Sequence, residues 1–275
     1  MRRVLNVANF NTHAGVDGWG RPFDLVAACR DLNADVLVLE ELWTSDETPG
    51  GQAEQIADAL GYDSVSCVLA EGRRAHPHPG ATPRWMPRFG FGSGHNALFF
   101  NAQRPLPVAT TASARYAEAE PGSWGIAVLV RRGIETVDSR TLHLPTLARD
   151  RVRRAAIVVD LRVDGTLLSV VGTHMSHIIY GSHRHYAALR TLLRTEAGPE
   201  AVLLGDMNLW GPPVLAYMPG WRRAVRGRTW PAWSPHSQID HILVRGAIGV
   251  MSGQVCPDAG SDHLPVRAVL TLGQR

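Results

Sequence analysis

The residues of this sequence that are best able to do chemistry stand where apolar runs end. In "AVLLGDMN", the apolar residues 202–204 lead into Asp206 and Asn208. Side chains alternate between the two faces of a β-strand, so these two side chains are predicted to point in one direction. Taken alone, the pair is more typical of a turn than of a functional site. Similar endings elsewhere in the chain favour a shared site.

Other predicted strands also end in, contain or follow carboxylate, amide or imidazole side chains. These residues are Asn11, Glu40, Glu41, His174, Asp240, His241, Asp262 and His263. One buried carboxylate needs a partner, and four or five of them near one core without lysine almost require a metal ion. Because the donors are rich in oxygen and include no cysteine, Mg²⁺ is the favoured ion and Mn²⁺ is the alternative.

The composition limits the class of protein and of substrate. The chain has 275 residues, of which 45% are hydrophobic and 19% charged, which is typical of a globular protein with a large core. All 28 basic residues are arginine, so catalysis by lysine and a lysine-containing phosphate loop are excluded. The formal net charge of +3 permits an anionic substrate without requiring nucleic acid.

The cysteines and the N-terminus favour a cytoplasmic protein. Cys29, Cys67 and Cys256 are far apart and form no CxxC pair, so we expect buried thiols in a reducing compartment. The opening "MRRVLNVANF" has too short an apolar run for a signal peptide and is predicted as a strand. No run approaches the 18 or so apolar residues of a membrane-spanning helix.

The hydrophobic pattern predicts more strands than helices. Helices are predicted over 22–33, 50–62 and 182–198. Strands are predicted over 4–10, 34–42, 96–101, 125–132, 155–163, 167–175, 201–208, 238–246 and 264–272, with a hairpin turn at 163–166. Two segments rich in Pro, Arg and Trp, 71–94 and 210–235, are predicted as long loops. Without repeats or a linker, we expect one domain over 1–275, with helices covering the outer faces of its sheets.

Six segments in a fixed order resemble the endonuclease/exonuclease/phosphatase superfamily. They are "NVANFNTH", "ADVLVLEEL", "GTHMSH", "LLGDMN", "QIDHIL" and "GSDHLPV", and the matching segments run from about residue 4 to residue 270. The superfamily includes DNase I-like nucleases, exonuclease III-like repair enzymes, bacterial sphingomyelinases and inositol polyphosphate 5-phosphatases. The resemblance implies an α/β fold, a four-layered sandwich in which two mixed sheets pack face to face between helices. The site would lie at one edge of the sandwich.

The sequence departs from the pattern of the superfamily in two places. Glu40 replaces the glutamine that usually precedes the metal-binding glutamate. The tyrosine and the Asn-rich segment of the apurinic-endonuclease branch are absent, and His174 matches the DNase I, sphingomyelinase and phosphatase branches instead. Abasic-site repair is therefore disfavoured as the function.

The resemblance implies a metal site and assigns its ligands. Glu41 would be the principal ligand of Mg²⁺, with Mn²⁺ possible. Asp262 and Asn11 would help through direct or water-mediated contact. The metal would neutralise the phosphate and the leaving oxygen.

The resemblance also implies the catalytic residues. His263 would be the general base or an electrostatic partner of the attacking water, with its ring oriented by Asp240. Asp206 would hold or deprotonate the water, and the sequence leaves open which of these two groups takes the proton. Asn208 would donate to a phosphate oxygen, and His174 would donate to the phosphate or protonate the leaving group.

Four residues are predicted to contact the substrate: Arg131, His177, Tyr180 and Trp210. Arg131 falls where the superfamily often has Ser-Arg. The Trp and Arg residues of 71–94 and 210–235 could stack on bases, enclose a small phosphorylated metabolite or be solvated loop residues. The expected partner is a phosphorylated small molecule or a nucleic acid, and we expect a monomer that does not bind membranes.

The sequence thus predicts a Mg²⁺-dependent phosphoesterase that attacks a phosphodiester or phosphomonoester in line with an activated water. Its substrate stays open between a small phosphorylated metabolite and a nucleic acid. The alternative within the enzyme class is a DNase I-like endonuclease or exonuclease. An alternative of another class is a catalytically silent binding protein on the same fold, which would be expected to have lost site residues.

Overall fold

The computed structural model describes most of the chain. The described residues are 4–18, 21–74, 98–100, 120–147, 150, 152–177 and 181–273, with the backbone alone described for 98–100. The predicted loop 71–94 lies outside these ranges from residue 75 onwards, as does the predicted substrate residue Tyr180. Residues 71–74 belong to a strand and not to a loop.

Thirteen strands form within the described ranges. They are β1 (Val4–Asn11), β2 (Val36–Ser45), β3 (Tyr62–Arg74), β4 (Leu98–Phe100), β5 (Glu120–Arg131), β6 (Glu135–His143), β7 (Ala155–Val163), β8 (Thr166–His174), β9 (Ala201–Asp206), β10 (Arg222–Arg223), β11 (Asp240–Arg245), β12 (Ile248–Val255) and β13 (Val266–Leu272). The four α-helices of the same ranges are α1 (Leu25–Leu32), α2 (Gln52–Leu60), α3 (Ser182–Glu196) and α4 (Gly211–Tyr217).

The described strands form two mixed sheets. The first has the order β12-β13-β1-β2-β5-β3-β4, and the second has the order β10-β11-β9-β8-β7-β6. Each sheet contains one parallel pair, β1 with β2 and β8 with β9, and the remaining pairs are antiparallel.

Three apolar clusters define four layers. Side chains such as Val38, Val128 and Val170 pack between the two sheets. The helices α1 and α2 cover the outer face of the first sheet, and α3 and α4 cover the outer face of the second. A Cβ on Gly172 would lie 2.8 Å from a methyl carbon of Val128, so glycine here allows the sheets to approach closely. The four-layered sandwich is therefore confirmed.

Four strands, β3, β6, β10 and β12, were not predicted from the sequence. The described side chains of β6 and β12 are mostly exposed, β10 has only two residues, and β3 mixes the buried Tyr62 and Leu69 with exposed polar residues. A strand without a buried face lacks the alternation of apolar and polar residues by which strands are recognised. The predicted loop 210–235 also contains α4, which begins with the residues Gly-Pro-Pro.

No helix in the described part of the chain is long and apolar enough to cross a membrane.

Candidate active site

The site lies at the edge where the carboxyl ends of the two parallel strand pairs meet. Asn11 on β1 is opposite Glu40 on β2, and His174 on β8 is opposite Asp206 on β9. Antiparallel β11 adds Asp240 opposite Asp206. The carboxyl ends of parallel strands are a common place for ligand sites in α/β folds. Strand register alone thus brings residues that are distant in sequence to one edge.

Glu41 reaches this edge through a β-bulge. The register between β2 and β5 shifts between Glu40 and Leu42, and Glu41 has a left-handed φ of 54°. The Thr12 hydroxyl lies 2.9 Å and 3.1 Å from the carbonyl oxygens of Glu40 and Glu41. A bulge turns a side chain out of the alternation of its strand. The strand therefore continues past the predicted end at residue 42, to Ser45.

Asn11 joins the two sheets at the site. Its Nδ2 donates to Glu41 Oε1 at 3.1 Å and to Asp206 Oδ2 at 3.2 Å. Its Oδ1 accepts from the backbone N–H of His13 at 3.1 Å, which fixes the orientation of the amide. Asn11 is buried, so it acts as an internal bridge between the carboxylates of β2 and β9.

A tight turn after β9 aims Asp206 and Asn208 at His174. Asn208 has a φ of 48°, its backbone N–H donates to Asp206 Oδ1 at 2.8 Å, and its Nδ2 donates to His174 Nε2 at 3.2 Å. Asp206 Oδ2 lies 3.5 Å from the same Nε2. A Cβ on Gly205 would lie 1.9 Å from the carbonyl oxygen of Thr173, so this close approach requires glycine. The side chains converge through a turn, where the sequence predicted a continuing strand.

His263 and Asp240 form a buried pair beside this turn. His263 Nδ1 lies 3.0 Å and 3.1 Å from the two oxygens of Asp240, so Nδ1 carries the donated hydrogen. His263 Nε2 faces Asp206 Oδ2 at 3.9 Å. The Ser261 hydroxyl donates to the carbonyl oxygen of Asn11 at 2.8 Å and ties the His263 loop to β1.

Asp262 is held on the other side of His263. The Trp230 Nε1 donates to Asp262 Oδ2 at 3.4 Å, and Asp262 Oδ1 lies 3.7 Å from His13 Nδ1. The side chain of Asp262 is 13% exposed and that of Glu41 is 17% exposed. Both carboxylates can therefore be reached by a solvent-borne ion.

Two residues that the sequence did not single out support His174. The Trp124 ring lies 5.2 Å from the His174 ring, and the Arg154 guanidinium lies 5.5 Å from the centroid of the Trp124 ring. Arg154 forms an ion pair with Asp150 at 3.1 Å. Neither residue had a usable sequence signal, because Arg154 is one of three arginines in 151–154 and Trp124 precedes the predicted start of its strand.

The surroundings of His174 and His263 shift the pKa values of these two histidines in opposite directions. Burial, Arg154 and His263 lower the pKa of His174 well below its ordinary value, so His174 is neutral near neutral pH. Burial disfavours the charged form of His263, yet Asp240, Asp262 and Asp206 together raise its pKa well above its ordinary value. Burial raises the pKa of Asp206 to about 7, with His263 opposing the shift and Asp240 adding to it. The Asp206 carboxyl therefore titrates closer to neutral pH than an ordinary aspartate does.

Glu40 lies inside the protein below these groups. Its side chain has no exposed surface, and neither of its carboxylate oxygens makes a well-formed hydrogen bond with a described residue. Burial and the charges of Asp240 and Asp206 raise its pKa well above its ordinary value, although His263 and the backbone of Asp206 partly oppose this. Ionisation of Glu40 therefore costs folding free energy.

A Glu40→Gln variant is expected to gain stability over the wild type as the pH rises. Because the pKa of Glu40 is higher in the folded chain than in the unfolded chain, the wild type loses stability above the unfolded pKa, about 4.3. Urea unfolding in EDTA at about pH 5 and about pH 8 measures the difference. The advantage of the variant should be larger at the higher pH, and an advantage independent of pH would contradict a raised pKa at Glu40.

The donor set at this edge fits a divalent cation. Asp206, Asp240 and His263 have ligand atoms that all lie within 4.8 Å of one another, close enough to hold a metal ion. Asp240 and His263 bond to each other, whereas the side chains of Glu41 and Asp262 are 17% and 13% exposed and can be reached by an ion from solvent. Hard oxygen donors of this kind suit Mg²⁺ or Mn²⁺. Because the sequence contains no lysine, no lysine ammonium group is present to neutralise these carboxylates.

The structure does not bring Arg131 to this edge. Arg131 ends β5 at the opposite end of the sheet, where its Nη2 donates to the carbonyl oxygen of Ala34 at 2.7 Å and to the Tyr62 hydroxyl at 3.3 Å. It also forms an ion pair with Asp35 at 3.4 Å. Its prediction as a substrate residue is therefore corrected to a structural role.

An Arg131→Ala variant is accordingly expected to keep turnover within about twofold of the wild type. It should lose about 1 kcal/mol of stability, because the side chain is partly exposed and its hydrogen bonds are partly replaced by water. Initial rates and urea unfolding check the two effects separately. A large loss of turnover with unchanged stability would restore Arg131 as a substrate residue.

The other three residues that were predicted to contact the substrate are His177, Trp210 and Tyr180. His177 follows β8 three residues after His174 and is exposed. Trp210 lies two residues after Asn208 and is 63% exposed, on the rim of a cleft. Tyr180 is not among the described residues, so its role stays a prediction.

The comparison with known families agrees with this geometry. Residues 5–263 match the Endonuclease/Exonuclease/phosphatase family. The chain belongs to this family. Members of the family are hydrolases that act on phosphoester bonds and generally depend on divalent metals. No curated protein matches the sequence.

Solved structures share the fold over nearly the whole chain. An endonuclease/exonuclease/phosphatase from Beutenbergia cavernae DSM 12333 is 23% identical with a TM-score of 0.63, and the match covers 99% of this chain and 72% of that one. A mannosyl-6-phosphatase of Bacteroides thetaiotaomicron is 17% identical with a TM-score of 0.62, covering 98% and 100%. The human Nocturnin catalytic domain with a bound sulfate anion is 15% identical with a TM-score of 0.61, covering 99% and 97%.

Proposed function

We propose that this protein is a Mg²⁺-dependent phosphoesterase that hydrolyses a phosphodiester or phosphomonoester by in-line attack of an activated water molecule. One observation carries the proposal. Asp206 Oδ2 lies 3.2 Å from Asn11 Nδ2, 3.5 Å from His174 Nε2 and 3.9 Å from His263 Nε2. A carboxylate surrounded by an amide and two imidazoles of different charge can hold water and move its proton. Membership of a phosphoester-hydrolysing family supports the same reaction.

Glu41 and Asp262 would hold the metal ion. Asn11 supports this site by orienting the Glu41 carboxylate through its Nδ2, since its Oδ1 is already used by the backbone N–H of His13. An orienting role for Asn11 is therefore favoured over direct coordination. A bound Mg²⁺ ion supplies charge neutralisation for the phosphate and the leaving oxygen, and Mn²⁺ can do the same.

The attacking water is activated between Asp206 and His263. Their 3.9 Å separation is too long for a direct hydrogen bond, and one water molecule can bond to both groups. As the water oxygen bonds to phosphorus, the proton of the water passes to this pair, and the ester P–O bond breaks with its electrons on the leaving oxygen, which takes a proton from solvent. Asp240 keeps the His263 ring in place through Nδ1 and stabilises its charged form. We assign the proton to the pair because coupled groups titrate together.

Asn208 and His174 would bind the phosphate. Asn208 Nδ2 donates to His174 Nε2 in the structure and can donate to a phosphate oxygen instead. The tautomer of His174 with hydrogen on Nε2 can donate to the same group. Because the pKa of His174 is lowered by its burial, a hydrogen bond to the phosphate is favoured over protonation of the leaving group.

A substrate panel tests the proposal and its alternatives. The panel contains p-nitrophenyl phosphate, bis-p-nitrophenyl phosphate, phosphorylated metabolites, and single- and double-stranded DNA and RNA, each with Mg²⁺ or Mn²⁺. Hydrolysis of a nitrophenyl ester and of a small metabolite is the expected result. Hydrolysis confined to nucleic acid would favour a DNase I-like nuclease. Silence on every member would favour a binding protein that has kept the fold without the activity.

A further inference from the structure

A cleft of about 540 Å³ opens beside the turn that carries Asn208. Its lining includes Trp210, Arg223, Arg228, His236 and Gln238, and we call it the Trp210 cleft. Its volume is in the range of pockets that bind small molecules, about 300–1,000 Å³. None of the residues to which we assign the hydrolytic step lines it, so it is available for another part of a substrate.

The Trp210 cleft adjoins the catalytic centre across a single tryptophan ring. The Trp230 ring separates them, at 5.3 Å from the ring of His236 in the cleft and 6.4 Å from the ring of His263 in the site. Trp230 is also bonded to Asp262, so it is a fixed wall common to both spaces. A molecule with its phosphoester at His263 can therefore extend past this one indole into the cleft.

The cleft carries positive charge that acidic side chains do not offset. Arg223 bonds to the Gln238 side chain, and its Nε is buried without a hydrogen-bond partner among the described residues. Burial lowers the pKa of Arg223, and the charge of the neighbouring Arg226 adds to this shift. Within the described ranges, neither of them nor Arg228 is ion-paired with a carboxylate. Such a site favours an anion, and arginine matches phosphate oxygens well.

Trp210 adds a flat apolar surface at the rim of the cleft. The side chain is 63% exposed, although Leu209 beside it is buried. An exposed indole next to arginines is suited to stacking on a planar ring. Aromatic stacking and an anion site together select a ligand that contains both a ring and a phosphate.

We propose that the Trp210 cleft binds the distal part of a small nucleotide substrate that carries a second phosphate. The base stacks on Trp210, the second phosphate contacts Arg223 and Arg228, and the scissile phosphoester lies between Asp206 and His263. This specificity rests on the proposed phosphoesterase function. A phosphate ester without a ring and a second anion uses the catalytic centre alone.

Calorimetric binding of adenosine 3′,5′-bisphosphate to the whole chain in EDTA, where the proposed hydrolysis cannot proceed, tests the proposal. Trp210→Ala and Arg228→Gln should each weaken binding by about tenfold. Both side chains are exposed, so neither change should unfold the protein. Arg194→Gln, which removes an exposed arginine on α3, serves as the matched control and should bind as the wild type does.

Hydrolysis of p-nitrophenyl phosphate or bis-p-nitrophenyl phosphate by the wild type separates this proposal from the proposed function. The Arg194→Gln control should hydrolyse these esters within about twofold of the wild-type rate. Wild-type nucleotide binding in both variants, or no binding by the wild type, would overturn the cleft assignment alone. Tight binding of a single-stranded oligonucleotide but not of the bisphosphate would also overturn it. Absence of ester hydrolysis by the wild type would instead overturn the phosphoesterase proposal.

Discussion

A Glu41→Gln variant is expected to lose Mg²⁺-dependent ester hydrolysis by about 10³-fold or more. Glu41 is the carboxylate that the bulge in β2 turns into the site and that Asn11 orients. Glutamine keeps the shape of the side chain but removes the charge that would bind the cation. Steady-state rates on the preferred nitrophenyl ester measure the loss. Calorimetric titration with Mg²⁺ should show weaker binding in the same variant.

The preceding residue offers a matched control. Glu40→Gln makes the same chemical change one position earlier, but Glu40 is fully buried and cannot contact a solvent-borne phosphate. Its turnover is expected to stay within about threefold of the wild type. Equal losses in the two variants, or near-normal turnover in Glu41→Gln, would contradict the assignment of the cation to Glu41.

A His263→Ala variant is expected to lower kcat by about 10³-fold, because a positioned acid–base group contributes roughly 10²–10⁴-fold. The change also leaves Asp240 as a buried carboxylate without its partner, so a loss of stability should accompany it. Asp240→Asn keeps the shape of the pair and should lower kcat by about 10²-fold or more. His143→Ala, which changes an exposed histidine at the end of β6, should leave turnover unchanged.

The pH profile of Asp240→Asn separates its effect on His263 from simple unfolding. Asp240 raises the pKa of His263, so removal of its charge lowers that pKa. A base must lose its proton to act, and kcat/KM therefore rises with pH through this pKa. The acidic limb of the profile should move to lower pH in the variant. If turnover falls but the acidic limb of the variant stays at the same pH as in the wild type, the proton transfer belongs to another group.

The candidate site residues could be recognised in the sequence because each of them stands at or near one end of an apolar run. Buried strands such as β1, β8 and β9 have clear apolar patterns, and their ends are therefore visible in the sequence. Once parallel strands are expected, residues at their carboxyl ends are expected to share an edge. The parallel pairing of β8 with β9 then places His174 opposite Asp206 in the structure.

The contacts that fix the site could not be predicted in the same way. The bond from Trp230 to Asp262 joins two irregular segments, and the packing of Arg154 on Trp124 joins an irregular segment to β5; in each case the partners are about 30 residues apart in the sequence. Apolar periodicity carries no information about irregular backbone. The bulge at Glu41 could not be predicted either, because a shift of register does not change the pattern of a continuous apolar strand.

Arg131 illustrates the limit of reasoning by position in a family. Its place after an apolar strand resembled a substrate-binding arginine, but strands have two ends and only one lies at the site. The structure pairs Arg131 with Tyr62 and Asp35 at the other end of the sheet. The sequence does not specify which end of a strand faces the site until its partners are known.

Removal and restoration of metal tests the metal dependence of this protein most directly. The whole chain is treated with EDTA, the chelator is removed, and hydrolysis of the preferred nitrophenyl ester is followed as Mg²⁺ or Mn²⁺ is added. Activity is expected to fall to background and to return with the ion in the wild type, with no return in Glu41→Gln. Full activity in the chelated wild type would contradict a metal-dependent phosphoesterase.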